Sequence, residues 1–189
     1  MRTYIVVVEQ PHLPELLEVF IYNRHELRVA GVPIEQEPAE RDPQAHITNA
    51  ARSSTTDRIL LDDLPELTDR GLKEKLDIFV AETFAEHLFP DIQRRVGYSL
   101  SQDSDDNSIG KFVVAGLDLM VTEGDRIFLL EANVHPAAPP PDSVNEKFRD
   151  HLKGFVHDLV DLAVGRPSPN FQSADDVIAR RDAKSSPPR

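Results

Sequence analysis

Two apolar runs of strand-forming residues flank a short turn in residues 111–136, and each run carries a carboxylate. The segment is KFVVAGLDLMVTEGDRIFLLEANVHP, with Asp118 in the first run and Glu131 in the second. Acidic residues are depleted in strands, and a turn such as TEGD favours a β-hairpin. The chain is therefore constrained to form a hairpin that carries two acids.

Whether Asp118 and Glu131 project from the same face of the hairpin depends on its register. If the two central residues of TEGD form the loop, Asp118 lies opposite Leu129, and alternation places Glu131 and Asn133 on the face of Asp118. A slip of one residue would put the two acids on opposite faces. With the predicted register, the backbones at Asp118 and Glu131 lie about 7–8 Å apart on a diagonal.

Two carboxylates on one face repel each other unless a cation lies between them. The repulsion is roughly 1–4 kcal/mol at a separation of about 4 Å, depending on the dielectric. Oxygen atoms from Asp118, Glu131 and the Asn133 amide suit Mg²⁺, or Mn²⁺ as the alternative ion. The other interpretation is that both acids face solvent and pair with arginine or lysine. The small or apolar neighbours on that face (Gly116, Met120 and Leu129) argue against a solvated surface.

The remaining segments predict an α+β fold. RTYIVVV and LLEVFIYN read as strands, ELRVAG continues the pairing, and residues 61–71 read as a loop. Apolar residues at helical spacing predict one amphipathic helix over residues 72–88 and a second over residues 144–165. We expect an antiparallel sheet with both amphipathic helices on one face and the acids on the other. Residues 1–165 form one domain, and residues 166–189, polar and rich in proline, are expected to be a disordered tail.

Composition excludes several classes of function. The chain has 189 residues, a net charge of −12 and no cysteine. An acidic chain is a poor ligand for nucleic acid and for anionic membranes, and a chain without cysteine forms neither disulfides nor thiolate nucleophiles. The apolar run near the N-terminus is too short for a signal peptide or a membrane span. These features predict a soluble protein of the cytoplasm.

Four ordered blocks carry a resemblance to a known family. FVVAGLDLMVTEGDRIFLLEANVHP resembles the closing motif of the tubulin–tyrosine ligase-like family, a branch of the ATP-grasp superfamily. AHITN resembles its HLTN segment, while RTYIVVV and VFIYNRHELRVAGVP resemble its arginine-led strand and the strand that ends in a Leu-Arg pair. Together the blocks span residues 2–136, which implies the C-terminal subdomain of an ATP-grasp fold.

The resemblance implies a role for each matched residue. Asp118, Glu131 and Asn133 would hold Mg²⁺ against the phosphates of ATP. Thr48 and Asn49 would lie along the nucleotide. Among the catalytic residues, Arg2 would contact the phosphoryl end of ATP, and Arg28 would bind a carboxylate of the amino-acid or peptide substrate.

The implied reaction is the ATP-dependent attachment of an amino acid to a protein or peptide, such as tubulin, through an acyl phosphate. The family has a lysine and an aspartate just before the position of Arg2, where this chain has Met1. We therefore expect the chain to be the C-terminal half of a catalytic region. The alternatives are a non-catalytic binding module of the same fold and a small-molecule carboxylate–amine ligase. Acidic tubulin tails would be repelled by a chain of this charge, which favours another acceptor or a missing basic half.

Overall fold

The computed structural model describes residues 1–10, 13–29, 57–90, 112–134, 136 and 144–185. These residues form an α+β fold in which every strand pair of a seven-stranded open sheet is antiparallel. Within this part of the chain, no helix has both the length and the apolar character needed to cross a bilayer.

Strand β1 (Arg2–Gln10) is the centre of the sheet. One edge of β1 pairs with β2 (Leu13–Tyr22), and the other edge pairs with β5 (Phe112–Val121). The five residues from Tyr4 to Val8 are each no more than 4% exposed. A strand that is buried on both faces has a continuous apolar run instead of an alternating one, which explains the sequence YIVVV.

Four further strands extend the sheet. β3 (Glu26–Val29) pairs with the first residue of β1 and with β4 (Asp57–Leu60). β6 (Ile127–Val134) pairs with β5, and β7 (Phe171–Ser173) pairs with β2. The sequence predictions of the N-terminal strands and of the hairpin are confirmed. Residues 61–71, predicted as a loop, instead contain a 3₁₀ turn (Leu61–Asp63) and the short helix α1 (Pro65–Thr68).

Helices cover both faces of the sheet. α2 (Leu72–Val80) continues as a π-helix (Ala81–Leu88) and packs against Ile5 and Val7. α3 (Glu146–Ala163) lies over the opposite face, where Tyr4 and Val6 belong to the apolar cluster that Leu162 completes. The prediction that both amphipathic helices share one face is wrong. Because the central run of β1 from Tyr4 to Val8 is apolar at both odd and even positions, each face of the sheet needs a covering helix.

The segment after α3 is also ordered. Residues 166–189 were expected to form a disordered tail, but β7 lies in this segment and is followed by α4 (Ala174–Ser185). Three apolar residues at three-residue spacing, Phe171, Ala174 and Val177, are all buried. They are too few to change the average composition, yet they dock the segment on the core. Residues 186–189 lie outside the described part of the chain.

The hairpin β5–β6 differs from the predicted register and still brings the acids together. Five residues (Thr122–Arg126) connect the strands, so that Met120 pairs with Phe128. Asp125 adopts a left-handed conformation with φ 57° and closes the turn, a conformation that aspartate tolerates better than most residues.

A β-bulge next to the acids then shifts the strand register by one more residue. Leu119 pairs with Leu129, but Asp118 pairs with Glu131, so Leu130 is the extra residue. Without the bulge, Asp118 would face Leu130, and Glu131 would project from the other side of the sheet. The predicted register, in which Asp118 lies opposite Leu129, is wrong, whereas the predicted shared face of Asp118 and Glu131 is confirmed.

A pair of engineered cysteines distinguishes the two registers, because the chain has no cysteine of its own. Met120→Cys with Phe128→Cys places the thiols on partner residues, at the separation of about 4.4–6.8 Å that a disulfide spans. We expect this variant to cross-link within the monomer under mild oxidation, as measured by thiol titration and mass. Met120→Cys with Ile127→Cys, the pair that a two-residue loop would bring together, is expected to stay reduced. The reverse result would refute the register.

Candidate functional site

A row of four charged residues crosses the sheet at one end. Glu26 of β3 pairs with Arg2 of β1, Arg2 pairs with Asp118 of β5, and Asp118 pairs with Glu131 of β6. Partner residues of neighbouring strands project from the same face. The pairing of four strands therefore brings together charges that lie up to 129 positions apart in the sequence. We call these four residues the charged row.

Arg2 and Asp118 form the strongest interaction of the charged row. Arg2 Nε donates to Asp118 Oδ1 and Arg2 Nη2 donates to Asp118 Oδ2, both at 2.7 Å. The two side chains are 10% and 13% exposed, so water screens the ion pair only weakly. This bidentate geometry is the strongest form of an arginine–carboxylate pair.

The arginines control the ionisation of Asp118. Burial alone raises the pKa of the Asp118 carboxyl, but hydrogen bonds from Arg2 and the charges of Arg2 and Arg28 outweigh burial and hold the pKa below its ordinary value. Arg28 Nη1 lies 3.8 Å from Asp118 Oδ2, which is an ion-pair distance and too long for a hydrogen bond. Asp118 is therefore a carboxylate at neutral pH.

The other two residues predicted to bind the metal ion, Glu131 and Asn133, lie on β6. Asn133 Nδ2 donates to Glu131 Oε1 at 2.9 Å, which holds the amide beside the carboxylate. Among the residues that the structure describes, no three His, Cys, Asp or Glu side chains gather as a metal-binding group. The candidate centre consists instead of two carboxylates and one amide, the oxygen donors that a hard cation accepts.

Gly116 allows the chain after β6 to return across the site. A Cβ on Gly116 would lie 3.0 Å from the Pro136 side chain and 3.6 Å from Arg2 Nε. The Cβ of a larger residue would crowd the Pro136 side chain, whereas its separation from Arg2 Nε would be an ordinary van der Waals contact, so the glycine favours the close approach of Pro136.

An open cavity of about 720 Å³ adjoins the charged row. Residues from both faces of the sheet line the cavity: Arg28, Asp118 and Glu131 belong to the face of the charged row, and Leu27, Leu67 and Leu72 belong to the side of α2. A concave site with an apolar wall and a few convergent charges is the usual form of a small-molecule site.

The structure brings together five of the seven residues predicted for the site: Arg2, Arg28, Asp118, Glu131 and Asn133. Thr48 and Asn49, predicted to lie along the nucleotide, fall outside the described residues, and their role stays a prediction.

Sequence analysis missed two buried polar residues that meet between α3 and the sheet: His151 of α3 and Glu26 of β3. Glu26 is 0% and His151 is 2% exposed, and His151 Nε2 lies 3.4 Å from Glu26 Oε1 without forming a hydrogen bond. Tyr4 is nearby, and burial followed by the negative charge of Glu26 raises its pKa. Glu26 could have been found from the alternation of β3, which puts it on the face of Arg28, but His151 is brought here by tertiary packing.

A second buried chain of hydrogen bonds lies on the other face. His25 contacts Thr3 Oγ1 through Nδ1 at 2.7 Å and Asp77 Oδ1 through Nε2 at 3.1 Å. A carboxylate can only accept, so Nε2 carries a proton and donates it to Asp77. Thr3 and His25 are both 0% exposed. The hydroxyl therefore cannot meet a substrate, and the chain of bonds anchors α2 to the sheet.

Comparison with known proteins adds nothing to this assignment: no family model matches the chain, and no curated protein matches it significantly.

The substitution Asp118→Asn tests how much the charged row contributes to the stability of the fold. The substitution leaves Arg2 and Arg28 without a negative partner, so we expect the free energy of unfolding at neutral pH to fall by about 2–4 kcal/mol. The folded-state pKa of Asp118 lies below its ordinary value, so its stabilisation is present above about pH 4 and is lost as the pH falls through the folded pKa. Chemical denaturation should therefore show the difference from wild type shrinking toward about pH 3.

Asp150→Asn is the matched control. Asp150 pairs with Lys153 on the surface, where the side chains are 65% and 66% exposed. Its loss is expected to change stability by less than about 0.5 kcal/mol at any pH. Equal effects of the two substitutions would contradict a buried role for Asp118.

Proposed function

We propose that the chain is an ATP- and Mg²⁺-dependent carboxylate–amine ligase, similar to the tubulin–tyrosine ligase-like branch of the ATP-grasp superfamily. It would attach an amino acid to a protein or peptide. The observation that carries the proposal is the pairing of Asp118 with Glu131 beside Arg2. Two carboxylates next to an arginine suit a site where a metal ion and a phosphate meet.

The oxygen donors fit a magnesium site. Asp118 and Glu131 lie directly opposite each other, and Asn133 is bound to Glu131. Mg²⁺ commonly uses one or two carboxylates and takes further ligands from phosphates and water. When bound here, Mg²⁺ would neutralise negative charge on the phosphates of ATP.

The arginines would supply the remaining positive charge. Arg2 uses Nε and Nη2 for Asp118, so Nη1 is the atom that would contact a phosphoryl oxygen. Arg28 lines the cavity beside Asp118 and would hold a substrate carboxylate. Phosphoryl transfer depends on positioning and charge neutralisation more than on a protein nucleophile, which agrees with the absence of cysteine from the sequence.

The proposed reaction has two steps. A substrate carboxylate attacks the γ-phosphorus of ATP, which forms an acyl phosphate and releases ADP. An amine then attacks the acyl carbon, which forms an amide, expels inorganic phosphate and releases a proton.

The competing function is a binding module that keeps the scaffold without the chemistry. The bidentate Arg2–Asp118 pair supports it, because both carboxylate oxygens already have a structural partner. A ligase that acts on small molecules would use the same site with a different acceptor.

Calorimetry with Mg²⁺ and ATP separates these functions. A ligase is expected to bind ATP in a Mg²⁺-dependent manner, and Glu131→Gln should weaken that binding at least about tenfold, or about 1.4 kcal/mol. Glu131 is exposed, so this substitution perturbs the fold less than one at Asp118.

Glu86→Gln serves as the matched control, because Glu86 is an exposed residue of the π-helix and is not among the residues that line the cavity. It should leave ATP binding unchanged. Absence of Mg²⁺-dependent ATP binding, or equal binding by wild type and Glu131→Gln, would refute the ligase and favour the binding module. ADP release that depends on an amino acid, with and without tubulin as acceptor, separates a protein ligase from a small-molecule ligase.

A further inference from the structure

The outer side of α3 carries a row of exposed valines. Val156 and Val160 are each 56% exposed, and Val164, the residue after the helix, is 44% exposed. Residues four positions apart lie one above the other on a helix, so the three side chains form a continuous stripe, which we call the valine ridge. The opposite side of α3 already packs on the sheet through Leu159 and Leu162. An amphipathic helix usually exposes polar residues on its outer side, so the valine ridge offers apolar surface to a partner.

Charges of opposite sign flank the two halves of the valine ridge. Lys153 lies three positions before Val156, and its side chain is 66% exposed. Asp161 follows Val160 directly and is 42% exposed. With 3.6 residues per turn, Lys153 projects within the sector of the ridge and Asp161 lies along its edge. Both charges pair with exposed neighbours on the same chain, at 3.2 Å and 3.4 Å, and such surface pairs are weak.

The position of Asp161 is unfavourable for an isolated helix. Every residue of α3 is described, and its last turn has no basic side chain. Asp161 lies in that turn, where the negative end of the helix dipole disfavours a carboxylate. An antiparallel neighbouring helix would bring the positive half of its dipole and a lysine to this end. The charges of α3 therefore favour an antiparallel helix as the partner of the valine ridge.

A second copy of α3 has these properties. A two-fold axis across the valine ridge runs the two helices antiparallel. When Val156 of one copy packs on Val160 of the other, Lys153 lies opposite Ala163 of the second copy. Asp161 of the second copy is two residues away, or about 3 Å along the helix axis. Symmetry repeats this pair, so two Lys153–Asp161 pairs would flank the packed valines.

We propose that the outer side of α3 is a homodimer interface in which the valine ridges of two antiparallel copies pack together. The net charge of −12 opposes association, but salt at physiological ionic strength screens charges that lie more than about 8 Å apart. The neighbouring charges, in contrast, complement each other. Three valines make a small apolar centre, so the dimer is expected to be weak and dependent on concentration. The inference stands independently of the proposed ligase.

Sedimentation velocity of the full chain tests the interface, over a roughly hundredfold range of concentration that reaches about 1 mM. Wild type is expected to show a monomer–dimer equilibrium. Lys153→Glu and Asp161→Lys should each weaken the dimer at least about tenfold, because each variant alone brings like charges together. An equimolar mixture of the two variants should dimerise again. In the mixed dimer, the new glutamate lies beside the new lysine, and the original lysine lies beside the original aspartate.

Lys147→Glu is the matched control. It makes the same change of charge as Lys153→Glu on the same helix, and Lys147 is an exposed residue that pairs with Asp63. Its side chain projects about 140° away from that of Val160 around the helix axis. This variant should therefore dimerise like wild type.

Val160→Glu tests the apolar part of the interface and is expected to weaken the dimer at least about tenfold. Val160 is exposed in the monomer, so the melting temperature of this variant, measured where both proteins are monomeric, should equal that of wild type. A lower melting temperature would overturn the proposal, because it would assign the ridge to packing within the monomer.

Four other results would also overturn the inference. The first is a monomer at every concentration of wild type, and the second is an unchanged dimer of Val160→Glu. The third is a mixture of Lys153→Glu and Asp161→Lys that stays monomeric, which would refute the antiparallel arrangement. The fourth is equal weakening by Lys147→Glu and Lys153→Glu, which would assign the effect to the net charge of the chain.

Discussion

The bidentate pair of Arg2 and Asp118 is the interaction on which the site depends. It joins the first residue of β1 to the middle of β5 and holds an arginine and a carboxylate at a fixed separation on a weakly hydrated face. Glu26 and Glu131 continue the row on either side through the pairing of the same strands. Because backbone hydrogen bonds set these positions, the charges are organised before any ligand binds, which lowers the reorganisation that binding requires.

The bulge at Leu130 shows how one residue decides whether the two acids meet. The five-residue turn shifts the register by one position relative to a two-residue loop, and the bulge shifts it by one more. Together, the two shifts return Glu131 to the face of the sheet from which Asp118 projects. Bulges recur beside active sites because they redirect a side chain without breaking the sheet. Its position next to Asp118 agrees with a functional role for this part of the hairpin.

The face beneath α3 combines an apolar part with a buried polar part. Tyr4, Val6 and Tyr22 pack against the apolar side of the helix, whereas Glu26 and His151 lie where the sheet approaches the charged row. Burial of a carboxylate without a hydrogen bond is costly, and it persists in proteins mainly where function requires it. On the opposite face, hydrogen bonds join the side chains of Thr3, His25 and Asp77 and anchor α2 to the sheet. Within the described residues, Glu26 and His151 are buried polar side chains without hydrogen-bond partners on the side of the candidate site, and Glu9 and Gln172 have such atoms elsewhere.

The sequence by itself determined β1, β2, β3, the hairpin and the two main helices, because these follow from local periodicity. It predicted the shared face of Asp118 and Glu131 through a different register, and the turn and the bulge produce that shared face in the structure. It did not determine which face each helix covers, since β1 is apolar on both sides. Nor did it reveal the ordered segment of β7 and α4, where three apolar residues dock on a core built elsewhere in the chain. The contacts of Arg2 with Asp118 and of Glu26 with His151 depend on strand order and packing. They join residues that have no local relation, so only the tertiary structure decided them.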